Sequence, residues 1–218
     1  MPTMTRPTIQ DFVLRVDRVG SYRVIATSEM TIGGPAQANR AGHLALLAPL
    51  SSVHASIRRS ETGYTISPRQ GAVALDGPTS PANVTRTPQQ TLLMQETYLS
   101  SQTKVQLGPK TTLTLDQPSP LSRTAILKIS PAGRTMEQLN GVVLLDQLLL
   151  IGAGSNVHIN SPHWQETGVL IYRNGTVRFR SSMGLAPDSS REVVDVELPW
   201  NRHWEWNEIG IYLEPYGT

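Results

Sequence analysis

Val169-Leu170-Ile171-Tyr172-Arg173-Asn174-Gly175-Thr176-Val177-Arg178-Phe179-Arg180 reads as two short strands and the turn that joins them. From 176 to 180, Val177 and Phe179 alternate with Thr176, Arg178 and Arg180, the period of a strand with one buried face. Asn-Gly between two such runs is a strong hairpin signal, because a type I′ turn needs positive φ at both central residues. The same pattern extends in both directions: short runs rich in β-branched and aliphatic residues, separated by Gly, Pro, Asn and Ser. Strands are expected at 12–16, 22–26, 30–32, 43–47, 54–59, 64–67, 73–75, 104–107 and 112–115. They continue at 125–129, 142–144, 148–151, 157–159, 169–172, 177–180, 193–197 and 209–213. The fold class that follows is all-β, with almost no helix.

Composition agrees. The 17 glycines and 16 prolines among 218 residues suit short strands and turns, not long helices. That length accommodates one large all-β domain or two of roughly 100 residues. A net charge of +2 argues against nucleic acid, which calls for a clustered basic face. There is no cysteine, which removes disulfides, thiolate chemistry and Cys-type zinc sites, and suits a reducing, cytoplasmic setting. Residues 1–12 are polar and lack an apolar signal core. The most apolar stretch, 141–151, is interrupted by Asp146 and Gln147 and is too short for a bilayer. It reads as two buried strands joined by a tight turn, with no membrane partner.

Pro118-Ser119-Pro120 marks a boundary, since proline cannot continue a central strand. An internal repeat crosses it. Ile32-Gly33-Gly34 is echoed by Ile151-Gly152-Ala153-Gly154, and each is followed by a short apolar strand, then a strand-turn-strand unit. The two halves close alike, on Leu113-Thr114-Leu115-Asp116 and Ile211-Tyr212-Leu213-Glu214. A repeat this long suggests duplication of a domain, with units at 10–118 and 119–218. Residues 77–90, polar with three prolines, read as a long surface loop.

The first half resembles the forkhead-associated (FHA) family over roughly residues 11–117. The resemblance rests on an ordered series: Ile32-Gly33-Gly34, the strand 43–47, Ser51-Ser52-Val53-His54-Ala55-Ser56-Ile57, Gly63-Tyr64, Leu75-Asp76-Gly77, and Val105-Gln106-Leu107-Gly108. The second half keeps the Ile-Gly turn and the paired strands but has no Ser-x-x-His-Ala segment. The resemblance implies two tandem β-sandwiches and a protein-interaction module that binds a partner protein or a phosphothreonine peptide through loops at one end. Such a site needs a guanidinium, a hydroxyl and backbone amides around a dianion. It implies Ser51 as the hydroxyl contact, with Ser52 and Gln70 beside it, and Gly33, Gly34, His54 and Gly77 as structural support. The family's Arg falls on Gly34, and its Asn before the last Gly falls on Asp76. Arg40, Arg58 and Arg69 are the cations that could take the missing place.

No enzyme signature is present. The histidines His43, His54, His158, His163 and His203 form no recognised ligand set. No Gly-x-Ser-x-Gly elbow occurs, and neither glycine cluster leads into a Gly-Lys-Ser/Thr pattern. No cofactor is implied. Two other readings stay open: a carbohydrate- or ligand-binding sandwich that uses Trp200, Trp204 and Trp206 as an aromatic platform, and a structural subunit with no ligand.

Overall fold

A computed structural model describes residues 9–76, 90–119, 122–130, 135, 138–183, 192–206 and 209–217. The expected loop at 77–90 falls almost wholly outside these residues, as do Gly77 and Pro120. Along the first half run β1 (Asp11–Val16), β2 (Gly20–Ile25), β3 (Glu29–Gly33), β4 (His43–Ala45), β5 (Ala55–Ser60), β6 (Gly63–Pro68) and β7 (Ala74–Asp76). They are followed by β8 (Gln90–Leu92), β9 (Thr97–Leu99), β10 (Lys104–Gln106) and β11 (Thr112–Asp116). The second half adds β12 (Ala125–Ile129), β13 (Gly141–Leu144), β14 (Leu148–Gly152), β15 (Ile159–Asn160) and β16 (Gly168–Arg173). It ends on β17 (Thr176–Met183), β18 (Glu192–Glu197), β19 (His203–Trp206) and β20 (Ile209–Pro215). The only helical element among the described residues is a single 3₁₀ turn at Pro35–Gln37, so the all-β expectation holds. The hairpin of β16 and β17 turns on Asn174 and Gly175 at φ 49° and 79°, as a type I′ turn requires.

Three sheets form. Two have five strands each: β4-β3-β5-β6-β9 from the first half and β15-β14-β16-β17-β18 from the second. The internal repeat is visible in them, since each holds one parallel pair, β3 with β4 and β14 with β15, beside an antiparallel hairpin. The third sheet has ten strands, in the order β19-β20-β1-β2-β13-β12-β11-β10-β7-β8, and runs through both halves. Its order mirrors about the parallel pair β2 and β13. Each half opens with a hairpin strand that pairs with the closing strand of the other half: β1 with β20, and β12 with β11.

The two hydrophobic cores show the consequence. Because successive residues of a strand face opposite sides, a strand can serve two cores. In β13, Val142 and Leu144 belong to the first core while Val143 belongs to the second. Ala125 and Leu127 of β12 face the first and Ile126 the second; Ile25 and Val24 of β2 divide likewise. The two small sheets therefore cover opposite faces of the long one. Two cores exist, but neither is built from 10–118 or from 119–218 alone. This also revises the reading of 141–151: β13 is buried throughout, but β14 leaves Leu148 exposed, and the two lie in different sheets, the ten-stranded and a five-stranded one, so the link between them crosses layers.

A buried ion pair pins the hairpin of β1 and β2. Arg23 donates from Nε and Nη2 to Asp11 Oδ1 and Oδ2 at 2.9 and 2.7 Å, and the two side chains are 1% and 3% exposed. The Gly42 N–H also donates to Asp11 Oδ2. The guanidinium lies 3.5 Å over the ring of Tyr216, whose hydroxyl donates to the Ala38 carbonyl. Thus the β3–β4 connection, the opening hairpin and the end of β20 meet on one charge pair. Arg59 extends the joint from β5, donating to the carbonyls of Leu145 and Ala26 beside Asp146.

Two outcomes follow. The full chain is expected to melt in one calorimetric transition whose van't Hoff and calorimetric enthalpies agree; two resolved transitions would contradict the shared sheet. Asp11→Ala should cost about 3–5 kcal/mol in urea unfolding, because it strands a buried guanidinium. A loss below about 1 kcal/mol would mean that water reaches Arg23.

Candidate interaction site at a loop end

At the end of β3 the chain comes very close to the segment that leads into β5. The Gly34 N–H donates to the Ser51 carbonyl at 2.9 Å, and the His54 N–H to the Ile32 carbonyl at 2.7 Å. A Cβ on Gly33 would lie 2.2 Å from the Ser52 carbonyl oxygen, and one on Gly34 would lie 2.6 Å from that of Leu50. Both glycines are required for this approach. The loop after β6 joins them: the Gln70 N–H donates to the Val53 carbonyl, and the Ser51 hydroxyl donates to the Gln70 carbonyl at 2.9 Å. The Ser52 hydroxyl reaches Gln70 Oε1 at 3.4 Å. The loops around Gly34, Ser51 and Gln70 therefore converge, with both serines partly exposed.

His54 holds this end together from beneath. Its Nε2 lies 2.9 Å from the Ala72 carbonyl, so that nitrogen carries the proton. The imidazole packs against Gly71, where a Cβ would come within 1.9 Å of Nδ1. Gly71 is thus a further support residue; its signal in the sequence was one more glycine in a loop, with no pattern to single it out.

The three candidate cations lie elsewhere. Arg69 donates from Nε to Ser56 Oγ and from Nη2 to Glu29 Oε1, at 3.0 and 3.1 Å. Arg58 pairs with the same Glu29 at 3.5 Å, so both lie along the outer face of the β3–β5 pair. Arg40 donates to Gln37 Oε1 on the β3–β4 connection. None has a hydrogen bond to Ser51, Ser52 or Gln70. Asp76 ends β7, opposite Gln90 of β8.

The C-terminal tryptophans form no exposed row. Trp200 meets Phe12 edge-on at 5.2 Å, and Trp204 and Trp206 lie 5.0 and 6.3 Å from Phe179, all three partly buried against the second core. Among the described residues no group of three or more His, Asp or Glu side chains could hold a metal ion, and no helix is long and apolar enough to cross a membrane.

Two histidines with no role in the sequence reading occupy equivalent places in the repeat, His43 at β4 and His158 just before β15. His43 is fully buried, with Nδ1 2.8 Å from Thr31 Oγ1. His158 accepts the Leu150 N–H on Nδ1 at 3.0 Å, so it is neutral with the proton on Nε2. Burial pushes both below the usual histidine value. For His43 the carbonyl of Gly34 opposes this, while Arg23 and Arg40 reinforce it. For His158 the Thr124 carbonyl and the Asp116 carboxylate oppose it.

Well above pH 6.5, from about pH 7.5, both histidines are neutral in the folded and unfolded chain, and stability is independent of them. As pH falls below that value the unfolded chain takes up protons that the native fold resists, so stability falls until the depressed native values are reached. The melting temperature should therefore drop between roughly pH 7 and pH 5, and drop less in His158→Gln, whose amide oxygen can still accept the Leu150 N–H. An equal drop in the variant would put the acid sensitivity elsewhere.

Comparison with protein-family models, curated proteins and solved structures gives no match to this chain.

Proposed function

We propose that the chain is a protein-interaction module of FHA type that docks a segment of a partner protein on the loop end formed by Gly34, Ser51, Ser52 and Gln70. The observation that carries this reading is the convergence of three loops, distant in sequence, on two partly exposed hydroxyls above a braced histidine. Such a surface has little mobility to lose on binding, which favours recognition of a short peptide.

Phosphate adds little to binding in this reading. A charge-assisted hydrogen bond contributes roughly 1.5–3 kcal/mol, and no guanidinium is aimed at the serines. Arg69 is the cation best placed to be recruited, since it adjoins Gln70 and its pair with Glu29 is about half exposed. Exposed pairs of this kind contribute only about 0–1 kcal/mol and can be exchanged for a ligand. A cytoplasmic location belongs to the same reading and rests on the absence of cysteine.

The test is a screen against paired libraries of phosphothreonine and unphosphorylated peptides, with the best binder titrated into wild type, Ser51→Ala and Arg69→Ala. Expected are binding weakened by Ser51→Ala and a phosphate preference below about tenfold that Arg69→Ala removes. Tight, phosphate-dependent binding that ignores Ser51→Ala would place the site elsewhere.

A further inference from the structure

A second concave surface lies where the two halves of the chain meet, away from the loop end at Ser51. It is a cleft of about 510 Å³ between the ten-stranded sheet and the β14–β15 connection. That volume falls in the ~300–1,000 Å³ range of small-molecule sites, which favour junctions of this kind. Tyr22 of β2, partly exposed, supplies aromatic surface, Ile126 of β12 is nearly buried, and Ser155, His158 and Asn160 also line the cleft.

The charges of its wall cancel. Lys128 contacts Asp116 Oδ2 at 2.5 Å, and Gln102 Nε2 donates to the other carboxylate oxygen at 2.6 Å. One cation in contact with one anion gives neither a phosphate nor a metal ion a net field to enter. The wall offers both donors and acceptors: the carboxylate, the ammonium, the amides of Gln102 and Asn160 and the Ser155 hydroxyl. His158 also lines the cleft, with its Nε2–H buried near the Thr124 carbonyl and the Asp116 carboxylate.

We propose that this cleft binds a small, uncharged polyhydroxy ligand, of the monosaccharide or cyclitol class. Hydroxyls donate and accept in turn, which matches a wall of mixed donors and acceptors with no net charge. The partly exposed ring of Tyr22 suits the C–H face of a sugar ring. This site is independent of the C-terminal tryptophans and of the peptide surface at Ser51.

The test is protein-observed NMR on the full chain with D-glucose, D-mannose and myo-inositol, each titrated to about 50 mM, against inorganic phosphate over the same range. Expected is a saturable shift of the Gly154, Ser155 and Asn160 amides with at least one of the three and no such shift with phosphate. Asp116→Ala should weaken that binding by about tenfold or more. Ser155→Trp, at an exposed loop position that fills the cleft without touching the core, should abolish it. Ser51→Ala should leave it unchanged, which separates this site from the peptide surface. Overturning results are no saturable shift with any of the three, shifts driven by phosphate instead, or sugar binding that persists in Ser155→Trp.

Discussion

Among the described residues three strands supply side chains to both cores, and the rest of the architecture follows from that. β2, β13 and β12 lie at the middle of the ten-stranded sheet and present apolar side chains alternately to two cores. A strand with one polar face can close a single sandwich. One that is apolar on both faces needs a layer on each side. Val142-Val143-Leu144-Leu145 is such a run, and only the presence of both small sheets buries all four residues. Since a buried Val or Leu side chain contributes about 1.5–3 kcal/mol, neither small sheet can be lost without exposing several such side chains of the central strands.

The polar joints sit where this exchange demands them. Strands that leave one sheet for another abandon their ladder partners, and the freed carbonyls must be satisfied. Arg59 takes those of Leu145 and Ala26, at the two points where the chain leaves the long sheet after β13 and after β2. The Tyr64 hydroxyl donates to the carbonyls of Arg123 and Leu144, and burial raises its pKa to about 12, so it remains a donor at any physiological pH. At the opening hairpin Asp11 accepts the Gly42 N–H and Arg23 donates to the Arg40 carbonyl, and their charges neutralise each other within the fold. These joints make one rigid frame of the two halves, and the loop end at Ser51 is carried on that frame.

The candidate loop end was largely legible in the sequence because its parts are short-range and stereochemically demanding. Ile32-Gly33-Gly34 and Ser51-Ser52-Val53-His54 are each local patterns, and the close approach of backbone to Gly33 and Gly34 tolerates no other residue. The three arginines illustrate the limit. Their positions along the chain left Arg40, Arg58 and Arg69 equally able to reach the serines. The choice was made by Glu29, which lies across the sheet from Arg58 and within reach of Arg69 and holds both on the sheet face. Gly71 and the paired histidines His43 and His158 carry no local signature, since what they touch comes from other strands or loops.

By itself the sequence determined most of the strands and the hairpin at Asn174-Gly175, and it showed a repeat in pattern; β8, β9 and β19 were not among the expected strands. What it determined depends on side-chain alternation or on positive φ, which act within a few residues. It also held the clue to burial on both faces, in the unbroken apolar run at 142–145, without saying which layers would cover it. Only the tertiary structure decided that the opening hairpins change places. β1 and β12 are both apolar strands that could border either closing strand, so local preference does not distinguish the tandem arrangement from the exchanged one. Pairing between strands far apart in the chain does, through the simultaneous burial of Val143 and Ile126 on one face and Leu144 and Leu127 on the other.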